Sequence, residues 1–222
     1  MTAPDPLRIL TVCTGNICRS PMAQFWLREA LPSDDVQTTS AGTGALVGRG
    51  MDAPSALITQ RFGGDTTSHV ARQLDERILA ETDLVIAMAV EHREAAVAMR
   101  PALARRAFTI LELEALIAAE RFSSLRKLAA KIDGSPRERL TVLLDTLAMR
   151  RADVRRDDPT SFDVVDPYRR GDEVVQRTAA QLLPAVETVG EFLRTVVAPT
   201  PNTLTTSGGA SFSSLPGEGE RW

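Results

Sequence analysis

One stretch near the start of the chain restricts the possible folds more than any other. Leu7, Ile9, Leu10 and Val12 form a short apolar run, rich in branched side chains, that reads as a buried strand. The run stops at Cys13, and Thr14-Gly15-Asn16-Ile17-Cys18-Arg19 follows, with Gly15 and Asn16 as turn formers. Ser20-Pro21 then reads as a helix N-cap followed by proline at the first helical position, with Gln24 near the capping-box site. A strand, a tight loop and a helix in this order place Cys13 on the floor of an anion site. Successive loop N–H groups and the free N–H groups of the helix start converge on a bound anion. The same field favours a thiolate at Cys13, which makes it a nucleophile. Arg19 adds a planar fork suited to a phosphoryl group. Ser20 is placed to donate to the sulfur, and Asn16 tolerates a left-handed backbone while its amide ties the loop down.

Cys13-Thr14-Gly15-Asn16-Ile17-Cys18-Arg19-Ser20-Pro21 resembles the signature loop of the low-molecular-weight protein-tyrosine phosphatases. Further matches are Ser40-Ala41-Gly42-Thr43, Gly48-Arg49-Gly50-Met51-Asp52, the segment 67–74 (TSHVARQL) and Asp166-Pro167-Tyr168. The resemblance covers roughly 7–118 and 162–197. It implies a four-stranded parallel sheet flanked by helices, and a phosphomonoesterase that works through a cysteinyl-phosphate. It assigns Cys13 as nucleophile, Arg19 as phosphate ligand and Asp166 as general acid and base. Thr14, Gly15, Asn16, Ile17, Cys18, Ser20 and Tyr168 would bind substrate. Ser40 and His69 would buttress the Asn16 side chain by hydrogen bonds. Cys18 would be a redox partner for Cys13, able to capture it as a disulfide on oxidation.

The chemistry of the acid follows from the leaving group. A phenol has a pKa of about 10, so expelling it as phenolate is slow unless a carboxylic acid delivers a proton. Pro167 stiffens the loop that would aim Asp166. Asp163, in the same stretch 162–168, is the nearest competitor, with a hydrogen-bonding role open to it and no proline after it. Arg169 stands where many relatives carry a second aromatic residue, so Arg169-Arg170 points to acidic substrates. His92 opens a helix among charged neighbours and reads as a surface residue. Asp52 and Arg72 suggest no role.

Along the chain, 34–42 reads as a second strand, 83–88 (DLVIAM) as a buried one and 107–111 as a short one, with helices between them. Strands alternating with helices indicate a doubly wound α/β fold, whose ligands bind beyond the carboxyl ends of the strands. Residues from about 119 to 160 carry two helical patterns separated by Gly134-Ser135-Pro136, longer than the resemblance requires. They form an expanded helical hairpin, read as a packed cap or as a lid beside the site. The last helix spans Asp172 to about Val197, with Pro184 predicting a kink or break. One phosphatase domain over 1–198 is therefore expected. Residues 199–222, rich in Gly, Ser, Thr and Pro, read as a disordered tail.

Composition closes off other classes. With 222 residues, a net charge of −3 and a pI of about 5.5, nothing argues for nucleic acid. Two cysteines in one loop form no disulfide framework and fit a reducing compartment. Two histidines and these cysteines make no zinc site, and the loop with Arg19 supplies the positive field, so no cofactor is expected. No apolar run reaches the length of about 20 residues that spans a bilayer, and the amino terminus lacks a signal-peptide core, so a cytoplasmic protein is expected. The expected substrate is a phosphotyrosine protein or small aryl phosphate, with a bacterial tyrosine kinase of polysaccharide export as the partner the resemblance implies. A monomer or weak dimer is expected. Three alternatives remain. An arsenate reductase would need cysteines beyond Cys18, and the chain has none. A phosphocysteine carrier of sugar transport would not need Arg19 or Asp166-Pro167. An inactive phosphate-recognising scaffold would be expected to lack Cys13, Arg19 or Asp166.

Overall fold

In the computed structural model, residues 5–31, 34–154 and 157–198 are described. The expectation of a disordered tail at 199–222 lies outside them. Four strands form one parallel sheet: β1 (Leu7–Cys13), β2 (Val36–Gly42), β3 (Leu84–Ala87) and β4 (Ala107–Thr109). Their order is β2-β1-β3-β4. The chain leaves β1 for β2 on one side and later returns to pair β3 on the other. The end of β1 is therefore the topological switch point, where α/β sheets open a crevice. Cys13, the last residue of β1, sits at that point, paired in register with Gly42.

The side-chain period of two divides the core between the faces. Leu7, Ile9, Leu84, Ile86 and Phe108 point into the larger apolar cluster, with Met22, Trp26, Leu113 and Phe192. Leu10, Val12, Val85 and Ala107 point into the smaller one, with Leu74, Leu79 and Ala96. The first face carries α1 (Arg19–Ala30), α5 (Ile110–Glu120) and α8 (Asp172–Val197), and the second carries α3 (Glu76–Ala80) and α4 (Val90–Met99). A further helix, α2 (Ala53–Arg61), follows the second strand. The sequence reading missed α3. Five residues are too few to display a helical period, and its start is marked only by Asp75 accepting from the Ile78 N–H. Helix α8 runs through Pro184 as a single element, so the expected break does not occur.

The hairpin consists of α6 (Phe122–Ala129) and α7 (Pro136–Met149). Ser135 and Glu138 form a capping box, with Pro136 at the first helical position. Leu125, Ala129, Leu140, Leu143, Leu144 and Leu147 are buried in the larger cluster beside α5 and α8. Arg139 is buried and donates from Nε to the Val196 carbonyl at 2.7 Å and also to the Gly134 carbonyl, joining the hairpin to the end of α8. Arg137, at the start of α7, donates to Asp83 and to the Pro6 carbonyl. Those groups precede β3 and β1, at the end of the sheet opposite Cys13. The hairpin's apolar face is thus packed beside α5 and α8, and the Arg137 contacts lie at the end of the sheet away from Cys13. Among the described residues no helix is long and apolar enough to cross a membrane.

Candidate active site

The segment from Cys13 to Ile17 turns its carbonyls outward, and each finds a donor in the surrounding framework. Thr43 N donates to Cys13 O, Gly44 N to Thr14 O, Leu46 N to Gly15 O and Asp52 N to Ile17 O, all at 2.9–3.0 Å. His69 Nε2 donates to Asn16 O at 2.7 Å. With the carbonyls facing out, the amides of Thr14, Gly15, Ile17 and Cys18 face in, and none donates to another protein group among the described residues. A ring of free N–H groups around a buried sulfur is an anion nest. Gly42 makes the outward ring possible, because a Cβ there would lie 2.3 Å from Thr14 O.

Asn16 is the keystone. Its φ is +53°, in the left-handed region that asparagine tolerates. Its side chain is buried and fully bonded. Nδ2 donates to Ser20 Oγ at 3.0 Å and to Ser40 Oγ at 2.8 Å, and Oδ1 accepts from the Arg72 N–H at 2.9 Å. Ser40 passes its own proton to Gln24 Oε1. Ser20, already an acceptor from Asn16, has its hydroxyl hydrogen free for Cys13 Sγ at 3.0 Å, and the Asn16 N–H points at the same sulfur at 3.3 Å. The chain of donors therefore ends on the sulfur, which suits a thiolate.

Arg19 is buried beside the nest, donating from one prong to the Val164 carbonyl at 3.2 Å. Its other prong meets Asp166 Oδ2 at 2.9 Å. Asp166 is 45% exposed, and its second oxygen accepts from the Tyr168 N–H at 3.2 Å. Pro167 and Tyr168 follow at the rim, where Tyr168 packs against the small apolar group of Ile17, Cys18, Ala71 and Leu46. A buried thiol, an unpaired N–H ring, a guanidinium and a half-exposed carboxyl converge on one crevice. Such a set has the donors to hold a tetrahedral dianion and a carboxyl that could move a proton at its edge.

Comparison with known proteins agrees with this geometry. The family model for low molecular weight phosphotyrosine protein phosphatases matches residues 8–121. The probable low molecular weight protein-tyrosine-phosphatase EpsP of Ralstonia solanacearum is 40% identical over 106 residues, 48% of this chain and 72% of that protein. This chain belongs to the low molecular weight phosphotyrosine protein phosphatase family. Wzb from Vibrio vulnificus, solved with benzylphosphonate, shares the fold with a TM-score of 0.58 at 21% identity, over 84% of this chain and 98% of that one. The YwlE arginine phosphatase from Geobacillus stearothermophilus aligns with a TM-score of 0.57 at 25% identity, over 86% and 94%. The family match ends before the hairpin, so the placing of Asp166 rests on the fold, which brings it back across 147 residues of chain to Arg19.

Several expectations need correction. The phosphatase helix α1 starts at Arg19 rather than after Ser20, and no side chain caps it. Ser20, read both as the N-cap and as a donor to the sulfur, fills only the second role, and Gln24, read near the capping-box site, accepts from Ser40 instead. His69 holds the Asn16 backbone carbonyl, not its side chain, while Ser40 does hold the side chain. Burial is the main influence lowering the His69 pKa. Arg72 and Asp52, given no role, supply backbone donors to the loop. His92, expected on the surface, is 1% exposed. Its Nε2 lies 2.9 Å from Thr14 Oγ1, and burial, with Arg19 adding to it, pushes its pKa down to about 4. The missed signal was the i, i+4 spacing of His92 and Ala96, the two buried positions of α4. Burial pushes the Cys18 thiol up to about 12, so it is a protonated thiol, and both cysteines are free.

Proposed function

We propose that this protein hydrolyses aryl phosphates, foremost phosphotyrosine on a protein, in two steps. Cys13 Sγ attacks phosphorus in line, the S–P bond forms, and the P–O bond to the phenol breaks as Asp166 gives its proton to the leaving oxygen. Water then attacks the cysteinyl-phosphate, Asp166 takes the water's proton, and the S–P bond breaks to release inorganic phosphate and the thiolate. Arg19 and the inward amides of Thr14, Gly15, Ile17 and Cys18 hold the equatorial oxygens throughout, so most of the catalysis is positional and electrostatic.

The observation that carries this reading is the 2.9 Å contact of Asp166 with Arg19 at the mouth of the nest whose floor is Cys13. Arg19 pairs with Asp166 at the mouth of the crevice, and a bound dianion would compete with that carboxyl for the guanidinium. Tyr168 beside Ile17 and Leu46 supports an aromatic leaving group. The guanidinium of Arg169 stacks 5.1 Å from the Tyr168 ring centroid, which supports acidic residues flanking the phosphotyrosine.

The test is turnover of aryl phosphate by the full chain and by Cys13→Ser, followed by phosphotyrosine, phosphoserine and phosphoarginine peptides of one sequence. Turnover confined to the wild type and highest on phosphotyrosine supports the reading. Preference for phosphoarginine would move the activity towards that of the arginine phosphatase, and phosphate binding without turnover would make the chain a recognition module. An unchanged peptide profile in Arg169→Ala would remove the acidic-substrate element.

A further inference from the structure

The first turn of α4 touches both halves of the site. On one side, His92 Nε2 meets Thr14 Oγ1, the side chain next to the nucleophile, at 2.9 Å. On the other, the Val90 N–H donates to Asp163 Oδ1 at 2.8 Å. The residue before the helix, Ala89, has no side chain with which to cap it, so Asp163 provides that cap from a segment 73 residues away. The neighbouring Val164 N–H adds a bond of 2.8 Å to the Met88 carbonyl. Three residues beyond Asp163 lies Asp166.

We propose that this turn is the bracket that sets the general-acid loop at a fixed distance from the phosphate loop, with His92 and Asp163 as its two positioning residues. The inference rests on the phosphatase reading above. Ordinary packing does not explain the arrangement. His92 Nδ1 is buried without a partner, and a leucine would fill the same place without that cost. A helix cap is ordinarily supplied by the residue that precedes the helix. Here it comes from the loop that must be aimed, and α4 is held at its start by the two loops whose separation matters.

The roles separate by leaving group. In the first step, which kcat/KM reads, misplacing Asp166 harms only substrates whose leaving group needs a proton, whereas disturbing Thr14 harms phosphate binding whatever the leaving group. The experiment compares phenyl phosphate, with a poor leaving group, and 4-nitrophenyl phosphate, with a good one, alongside competitive inhibition by inorganic phosphate. For Asp163→Ala, kcat/KM on phenyl phosphate should fall about tenfold further than on 4-nitrophenyl phosphate, with phosphate affinity within about twofold of wild type. For His92→Leu, phosphate affinity and kcat/KM on both substrates should fall together by about tenfold. Asp163→Asn and His92→Gln keep a polar atom in each place and should recover most of the loss. If His92→Leu lacks a cooperative thermal transition, Thr14→Val removes the same bond from the other side and should give the same pattern.

Equal losses on both substrates in Asp163→Ala, or unchanged phosphate affinity in His92→Leu, would overturn the bracket. If the wild type turns over neither substrate, the phosphatase reading fails by itself. The bracket is then judged on phosphate binding and amide exchange. Faster exchange at 14–16 in His92→Leu and at 163–165 in Asp163→Ala, with α8 unchanged, supports it, and no local change overturns it.

Discussion

The phosphate loop and the acid loop lie in one crevice but are built on opposite principles. In the first, every carbonyl from Cys13 to Ile17 is bonded outward, Asn16 is fully buried and Arg19 is nearly so. In the second, Asp163 and the Val164 and Val165 amides are tied to α4, Met88 and Gln181, while Asp166 stays half-exposed. A dianion site gains from a rigid ring of donors that does not reorganise. A proton donor and acceptor needs water at its carboxyl and precision only in its backbone. The two loops meet these demands separately.

Substitution at the two ends should break the comparison most sharply. Cys13→Ser should lower kcat/KM by about 10⁴-fold or more on every substrate, since no other group can form the intermediate. Asp166→Ala should lower kcat/KM, which reads only the first step, about 10²–10⁴-fold on phenyl phosphate and far less on 4-nitrophenyl phosphate, whose leaving group needs little help from a proton. Steady-state rates on the two substrates check both. Equal losses in Asp166→Ala would mean that it acts through Arg19 and not as an acid.

A second expectation sets the rigid side against pH. The His92 pKa is held near 4, against an ordinary 6.5, by burial first and then by Arg19, with the exposed Glu91 carboxylate 3.3 Å from Nε2. Above pH 6.5 the ring is neutral in both folded and unfolded chains. Between 6.5 and 4 the unfolded chain takes up a proton that the folded one refuses, so stability falls with pH, by roughly 3 kcal/mol across the window. His69, also lowered, adds in the same direction. Denaturant midpoints at pH 5 and 7 should differ less in His92→Gln than in wild type, since the carboxylate contributions are common to both. The acid loop has no comparable buried base.

Asn16→Ala should cost about 2 kcal/mol, because it leaves the Arg72 N–H and two hydroxyls short of a partner and puts alanine at positive φ. Asn16→Asp sharpens the point. A carboxylate in that place would draw the Ser20 hydroxyl away from Cys13 Sγ, so activity should fall further than stability. Thermal melts beside rates on 4-nitrophenyl phosphate separate the two effects.

The difference between the loops also explains what could be read from the sequence. The phosphate loop is contiguous, and each residue acts on its neighbours, so Cys13, Asn16, Arg19 and Ser20 were legible from spacing alone. Asp166 was legible only through the resemblance, since a lone Asp-Pro-Tyr carries little weight. His92 and Asp163 depend on how α4 lies across the crevice, over separations of 78 and 73 residues. Local pattern holds no record of that. Only the N-cap reading of Ser20 fails, for a physical reason: a hydroxyl at a helix start ordinarily turns to the backbone, but here it turns to the sulfur.

The smallest expected effect distinguishes cap from lid in the hairpin. Arg137 is 41% exposed and bridges α7 to Asp83 at 2.7 Å, while Asp83 keeps a second donor in the Arg8 N–H at 2.9 Å. The carboxylate is therefore not stranded when Arg137 is removed, and solvent screens the pair. Arg137→Ala should cost about 1 kcal/mol of stability and leave kcat and KM on a phosphotyrosine peptide unchanged. A lid would respond in the opposite way, because loosening its anchorage would alter peptide KM before it altered stability. Since the Arg137 contacts lie at the amino-terminal edge of the sheet, a shift in KM could reach Cys13 only by movement of the whole hairpin. Measuring melting temperature and peptide KM on the same variant therefore decides between a hairpin that extends the core and one that governs access to the crevice.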